Sequence, residues 1–433
     1  MRKAYYTFLL FLIFISCKPA IEEPDYSRGE INPEKFVMVG GSHVSGYMDD
    51  ALYYEGQMNS IAQMLAQQLS LVGMTGFRQP LVQANSVGIG FSGLAAMYLN
   101  YKTDCKGVSS LSPVRIASSG DLGILSENLY NASALFGNYG IPGIKLAEMQ
   151  TTAYAALNPF FARMASSGNS SALQDINATQ ASFYALFLGL EDVLAYAKSG
   201  GTQALPELAD FQTNYENVIQ TLTANGSKAV IGLIPDVSEM PYFTTIPWNG
   251  LNLDSANNNT LNAVYNPLGY YFNVGPNPFM IVDTSANMFG VRQIRNDEYL
   301  LLSLPLDSVK CNQMGVLFPI RDEFVLDQGE QIELRSKIEL YNTSIKNLAT
   351  QYNLAVADVK SLVHQLKTGF VYNGISLSAK FVSGGAYSLD GIHFNPRGIA
   401  LVANEFIRAI NSKFNSKIPE LNAGSFRSIL FPN

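Results

Sequence analysis

The chain predicts an α/β fold: a central parallel sheet with helices on both faces. Two observations lead there. Short, continuous apolar runs alternate with longer stretches whose apolar residues recur at helical spacing. The 433 residues are also 47% hydrophobic and only 15% charged, enough apolar material for a sheet buried on both faces.

The elements follow in chain order. Residues 36–39 (FVMV) read as a buried strand closed by the turn Gly40-Gly41. From 58 to 71, apolar groups at Ile61, Met64, Leu65 and Leu69, with Val72 just beyond, have helical spacing. Residues 182–189 (SFYALFLG) form a second buried strand. Residues 205–223 read as helix and 228–236 (KAVIGLIPD) as a third strand. The stretch 328–352 carries Ile332, Leu334, Ile338, Leu340, Ile345 and Leu348, again a helix. Residues 354–359 (LAVADV) give a strand, and 396–414 a closing helix. Two segments break the rhythm: 93–133 and 240–328 are rich in Asn, Gly, Pro, Ser and Tyr and read as insertions into a single domain spanning 34–416. Residues 417–433 read as a tail.

The net charge of −7 argues against a nucleic-acid partner, because phosphate binding needs a basic face. Three cysteines are too few for a disulfide scaffold or a four-cysteine zinc site. Three scattered histidines and the acidic pair Asp49-Asp50 show no ligand spacing, and nothing calls for a metal or cofactor.

At the start, Arg2 and Lys3 precede an apolar run from Phe8 to Ile15, followed at once by Ser16 and Cys17. This is the layout of an export signal over residues 1–16, too short to span a bilayer. A cysteine placed there resembles the bacterial lipobox, with Cys17 becoming the lipidated first residue of an outer-membrane lipoprotein. Lipid would then be the only membrane anchor. Phe14 stands where that pattern usually has leucine. Residues 17–33, with Glu22, Glu23, Asp25 and Glu30, read as a flexible acidic tether; such tethers resemble those of lipoproteins sent to the cell surface. In an oxidising compartment Cys105 and Cys311 are either joined by a disulfide, the expectation here, or remain buried thiols.

Chemistry concentrates at two places. Ser42 lies on a glycine-flanked turn at the end of the first strand, where open parallel sheets bind ligands. A nucleophilic serine needs a base, and only His43, His364 and His393 exist. His43 adjoins Ser42 and should point away from its side chain, and His364 lies in a helical stretch (KSLVHQLK) as an ordinary packed or surface residue. His393 follows Asp390 by three residues in a loop before the last helix, so that the carboxylate can orient the imidazole.

The blocks GGSHVSGY (40–47), NYGIPG (138–143), LGLEDVLAYAKSGG (188–201) and LDGIHFNPRG (389–398) resemble, in order, those of the SGNH (GDSL-type) hydrolases. IPDVSEMPYF (234–243) and ALVANEFIRAIN (400–411) also look like a lipoprotein branch of that family found in Bacteroidetes. The resemblance implies a flavodoxin-like three-layer sandwich. It also implies Ser42 as nucleophile, His393 as base, Asp390 as its orienting acid, and the amides of Ser42 and Gly143 as oxyanion donors. On their own, Gly143 reads as a turn glycine and Asp390 as a loop acid or cap.

Two positions depart from the family pattern. Gly41 stands where the family has Asp or Asn, and Glu191 where it has an oxyanion-donating Asn. An ionised carboxylate donates nothing, and losing one such donor costs on the order of 10²–10³ in rate. A charge ~4 Å from the oxyanion adds about 4 kcal/mol of repulsion at an effective dielectric near 20. A protonated Glu191 would donate, and activity would then rise as pH falls until His393 protonates. Two functions follow: a lipid-anchored esterase acting on small-molecule or glycan esters, or a weak or inactive relative that binds glycan or serves as a scaffold, its aromatic segments 241–249 and 265–272 facing the sugar. The oligomeric state is open.

Overall fold

The computed structural model describes residues 25–432. Its centre is a five-stranded, all-parallel sheet of β1 (Phe36–Gly40), β2 (Asn138–Gly140), β3 (Phe183–Phe187), β4 (Lys228–Gly232) and β5 (Ala355–Ala357). The spatial order is β2-β1-β3-β4-β5, the flavodoxin-like doubly wound order. Pairing runs in register from Phe36 opposite Phe183 to Gly40 opposite Phe187, and from Met38 opposite Asn138 to Gly40 opposite Gly140. Every residue of β1 and β3 is buried, as strands covered on both faces must be.

The covering helices are α1 (Ser42–Ser45), α2 (Ile61–Ser70), α3 (Leu190–Lys198), α4 (Leu208–Thr223), α5 (Gln328–Gln351), α6 (Val359–Thr368) and α7 (Pro396–Phe414). Their starts are capped locally: Ser60 accepts the Gln63 amide, Asp327 and Glu330 form a capping box, and Asn395 accepts the Gly398 amide with Pro396 following. One large core, from Ile31 to Ala423, runs between sheet and helices.

The segment read as a tether, 17–33, is not loose where it is described. Glu30 donates its amide to the Phe414 carbonyl (2.8 Å), and Ile31 is buried, because one apolar side chain suffices to dock it beside the end of α7. The tail after residue 416 docks too: Ile418, Leu421 and Ala423 are buried, and Asn404 of α7 accepts the Leu421 amide. Residues 1–24, with the export signal and Cys17, lie outside the described residues.

Both insertions are folded. The first contains an antiparallel hairpin, Met97–Thr103 with Ser109–Arg115. The second builds a small core of its own around Phe279, Met280, Ile281 and Leu300, with three short antiparallel pairs and a helix, Ser255–Tyr265. Cys105 at the hairpin tip is disulfide-bonded to Cys311, with Cα atoms 6.5 Å apart. Lys310–Asp104 (2.9 Å) and Lys102–Asp307 (3.3 Å) flank that bond, so the insertions form one roof over the carboxyl ends of the strands.

Candidate active site

At the carboxyl ends of the strands, the loop after β2 carries Gly143, while Ser42 and Glu191 lie in the first turns of α1 and α3, directly after β1 and β3. The loop just before α7 carries Asp390 and His393. Ser42 opens the single-turn helix α1 and is buried, its hydroxyl accepting the Gly143 amide at 3.1 Å. Gly143 needs to be glycine twice over: its φ is +77°, and a Cβ would lie 2.9 Å from the Phe91 ring. Its loop is held by Asn158, which donates to the Pro142 carbonyl (2.9 Å), and by Asp192, which accepts the Leu146 amide (2.9 Å).

Asp390 and His393 meet as their spacing suggests. Asp390 Oδ2 lies 2.9 Å from His393 Nδ1, and Oδ1 accepts the amides of Ile392 (2.9 Å) and His393 (2.8 Å). Oδ2 also accepts the Asp50 amide at 3.0 Å. Burial alone would disfavour the charged carboxylate of Asp390 and push its pKa up. The charge and hydrogen bond of His393, with the amides, instead hold it well below the usual carboxylate range. The carboxylate therefore stays ionised and fixes the proton on Nδ1, leaving Nε2 as the basic nitrogen. His393 Nε2 is buried without a hydrogen-bond partner among the described residues.

Ser42 and His393 line one cavity of about 340 Å³, together with Gly143, Glu191 and Lys198. In this resting geometry the hydroxyl is held by Gly143 rather than by the imidazole. His43 does not line that cavity; its buried ring packs 4.6 Å from that of His393, with Phe394 and Phe187 beside it. Burial, then the neighbouring His393, keeps His43 far below the ordinary imidazole value and so neutral. His364 sits on α6, paired with Glu239 at 3.0 Å, apart from this site.

Glu191 corrects the expected oxyanion hole. Its Oε1 accepts the Ser42 amide at 2.6 Å. The amide expected to meet an oxyanion is therefore occupied, and Glu191 acts there as an acceptor, not a donor. The same side chain explains Gly41, because a Cβ at 41 would lie 2.5 Å from Glu191 Cγ and Oε1. The two departures in sequence are one steric arrangement: the glutamate occupies the space that a side chain at 41 would need.

Sequence reasoning missed the turn beneath the histidine loop. Asp49 and Asp50 both have positive φ, 52° and 58°. Asp49 accepts the Leu389 amide (2.9 Å) and the Tyr53 hydroxyl (2.7 Å), and its own amide donates to Ser388 Oγ (3.1 Å). Burial pushes the Asp49 carboxyl up to about 6. The acidic pair was visible in the sequence, but its partner lies 340 residues away. Tyr47 and Phe91 were missed as well; they stack at 5.1 Å, and the Tyr47 ring lies 5.0 Å from His393.

A larger cavity of about 730 Å³ lies under the roof, reaching Asp390 and His393 from the far side. Among the described residues no cluster of His, Cys, Asp and Glu could hold a metal ion, and no helix is long and apolar enough to cross a membrane.

No protein-family model matches the sequence, and no curated protein is significantly similar to it. Three solved structures that align with the chain are hydrolases. An α/β hydrolase enzyme from the metagenome of Lake Arreo, Spain, aligns over 88% of this chain and 96% of its own, at 9% identity and a TM-score of 0.37. A Geobacillus acetyl-xylooligosaccharide esterase aligns over 88% and 95%, also at 9% and 0.37. A lipase/acylhydrolase from Enterococcus faecalis aligns over 90% and 100%, at 12% and 0.35. Likeness this loose carries no chemistry; the side-chain geometry must supply it.

Proposed function

We propose that the chain is a serine ester hydrolase of SGNH type, acting through an acyl-serine intermediate. The observation that carries this reading is the buried imidazole of His393. Its Nδ1 is fixed by an ionised carboxylate, and its Nε2 is unpartnered in the cavity that Ser42 also lines. In the mechanism this supports, Nε2 takes the Ser42 proton as Oγ attacks the ester carbonyl, and Gly143 donates to the developing oxyanion. Nε2 then protonates the leaving alcohol, and water repeats the sequence on the acyl-serine.

Hydrolysis of p-nitrophenyl acetate tests the reading. Ser42→Ala and His393→Ala should each reduce turnover at least about 10³-fold, as loss of a nucleophile or base does elsewhere. Turnover that survives both substitutions would refute it.

One observation favours a second reading, a catalytically weak, ligand-binding domain: the Glu191 carboxylate seated on the Ser42 amide. Of the aromatic segments, Tyr242, Phe243, Tyr265 and Phe272 are buried, whereas Tyr271 is exposed and Trp248 and Tyr270 are half-buried, so only these last three could face a glycan. The Arg2–Cys17 layout supports export as a lipoprotein of the Bacteroidetes-like branch, anchored in the outer membrane of a Gram-negative cell. Metabolic labelling with a fatty-acid probe that is lost in Cys17→Ser would support that anchoring, and unchanged labelling would refute it.

A further inference from the structure

The two cavities are not equivalent, and their positions around the imidazole assign the halves of the ester. They share a wall of Phe91, Lys198, Ile392 and His393. Ser42, Gly143 and Glu191 line only the smaller cavity, whereas Asp390 and Tyr47 line only the larger. During acyl transfer the Oγ–acyl bond forms and the ester C–O bond breaks. The departing oxygen takes the proton that Nε2 removed from Ser42, so the alcohol must leave on the imidazole side. The carbonyl oxygen faces the Gly143 amide, and the acyl group remains in the smaller cavity.

The cavities differ in size, about 340 against about 730 Å³. The smaller cavity sets Lys145, Ser199, Gln203 and Glu191 beside Leu194 and Ala195, and its size limits the acyl chain it can take. The larger is lined by Ile246, Leu302, Leu306, Phe381, Val382 and Leu389. Its charges are largely neutralised in pairs, Lys102 with Asp307, Lys310 with Asp104, and Arg115 with Asp50. We infer that the substrate is an ester of a short acyl group with a bulky, apolar-bodied alcohol, the alcohol lying under the disulfide-tied roof. This rests on the esterase reading and adds the substrate class.

Two isomeric esters, hexyl acetate and ethyl hexanoate, test the assignment, because they share one composition and differ only in which half is long. Each buried methylene is worth up to about fourfold, so kcat/KM should rise at least tenfold from ethyl acetate to hexyl acetate. It should not rise from ethyl acetate to ethyl hexanoate. Leu306→Trp, which fills the larger cavity, should lower the hexyl acetate to ethyl acetate ratio by about tenfold. Hydrolysis of both isomers with ethyl hexanoate preferred would overturn the assignment while leaving the esterase reading intact. No hydrolysis of any ester, with no fluorophosphonate adduct on Ser42, would overturn both.

Discussion

At the scale of single residues, Gly41 and Glu191 are the informative pair. An aspartate at 41 would drive its Cβ to 2.5 Å from Glu191, an overpacking that typically costs about 1–3 kcal/mol. Gly41→Asp should therefore destabilise the protein in urea unfolding, and the double variant Gly41→Asp/Glu191→Asn should recover most of the loss. Additive losses in the double variant would show that the two positions are not coupled. Glu191→Asn alone should free the Ser42 amide and supply a donor. The esterase rate should rise at least about tenfold, since one oxyanion donor is worth on the order of 10²–10³. An equal or lower rate at every pH would show that Glu191 does not hold the site back.

At the scale of elements, the loops at the strand ends are held by buried carboxyls. Asp192 on α3 braces the Gly143 loop through the Leu146 amide, and burial pushes its carboxyl up to about 7 from the ordinary 3.8. The folded protein keeps this proton up to about pH 7, while the unfolded chain releases it near pH 4. Stability from this group is therefore full at acid pH and declines as pH rises through that window, by at most roughly 4 kcal/mol. Asp192→Asn keeps an acceptor without the charge, so the urea midpoint should fall less between pH 4 and 7 than in the wild type. An unchanged pH slope would contradict the assignment.

Much of this layer was legible in the sequence. The apolar runs at 182–189, 228–236 and 354–359 contain the strands β3, β4 and β5, and the run at 36–39 covers β1 up to its last residue, Gly40. The edge strand β2 was not, because Asn138-Tyr139-Gly140 is three residues with a single apolar side chain. Helix α3 went unread as an element although its residues stood out as a motif. Asp390 and His393 could be paired because a spacing of three is local. The contact of Glu191 with the Ser42 amide spans 149 residues and exists only once β1 and β3 lie side by side.

At the scale of the whole molecule, a roof built from two insertions closes over one end of an ordinary doubly wound sheet. The Cys105–Cys311 bond spans 206 residues of chain, and a disulfide commonly stabilises by about 2–4 kcal/mol. Cys105→Ser/Cys311→Ser should lower the thermal midpoint by several degrees and raise KM for hexyl acetate more than for ethyl acetate. A matched rise for both esters would mean that the roof does not bound the alcohol cavity.

The central claim is that Asp390 and His393 activate Ser42. Mass spectrometry of tryptic peptides after fluorophosphonate treatment tests it most directly. A covalent adduct on Ser42 that is abolished by His393→Ala is the expected result. An adduct that forms equally well in His393→Ala, or no adduct on Ser42 in the wild type and in Glu191→Asn alike, would contradict it.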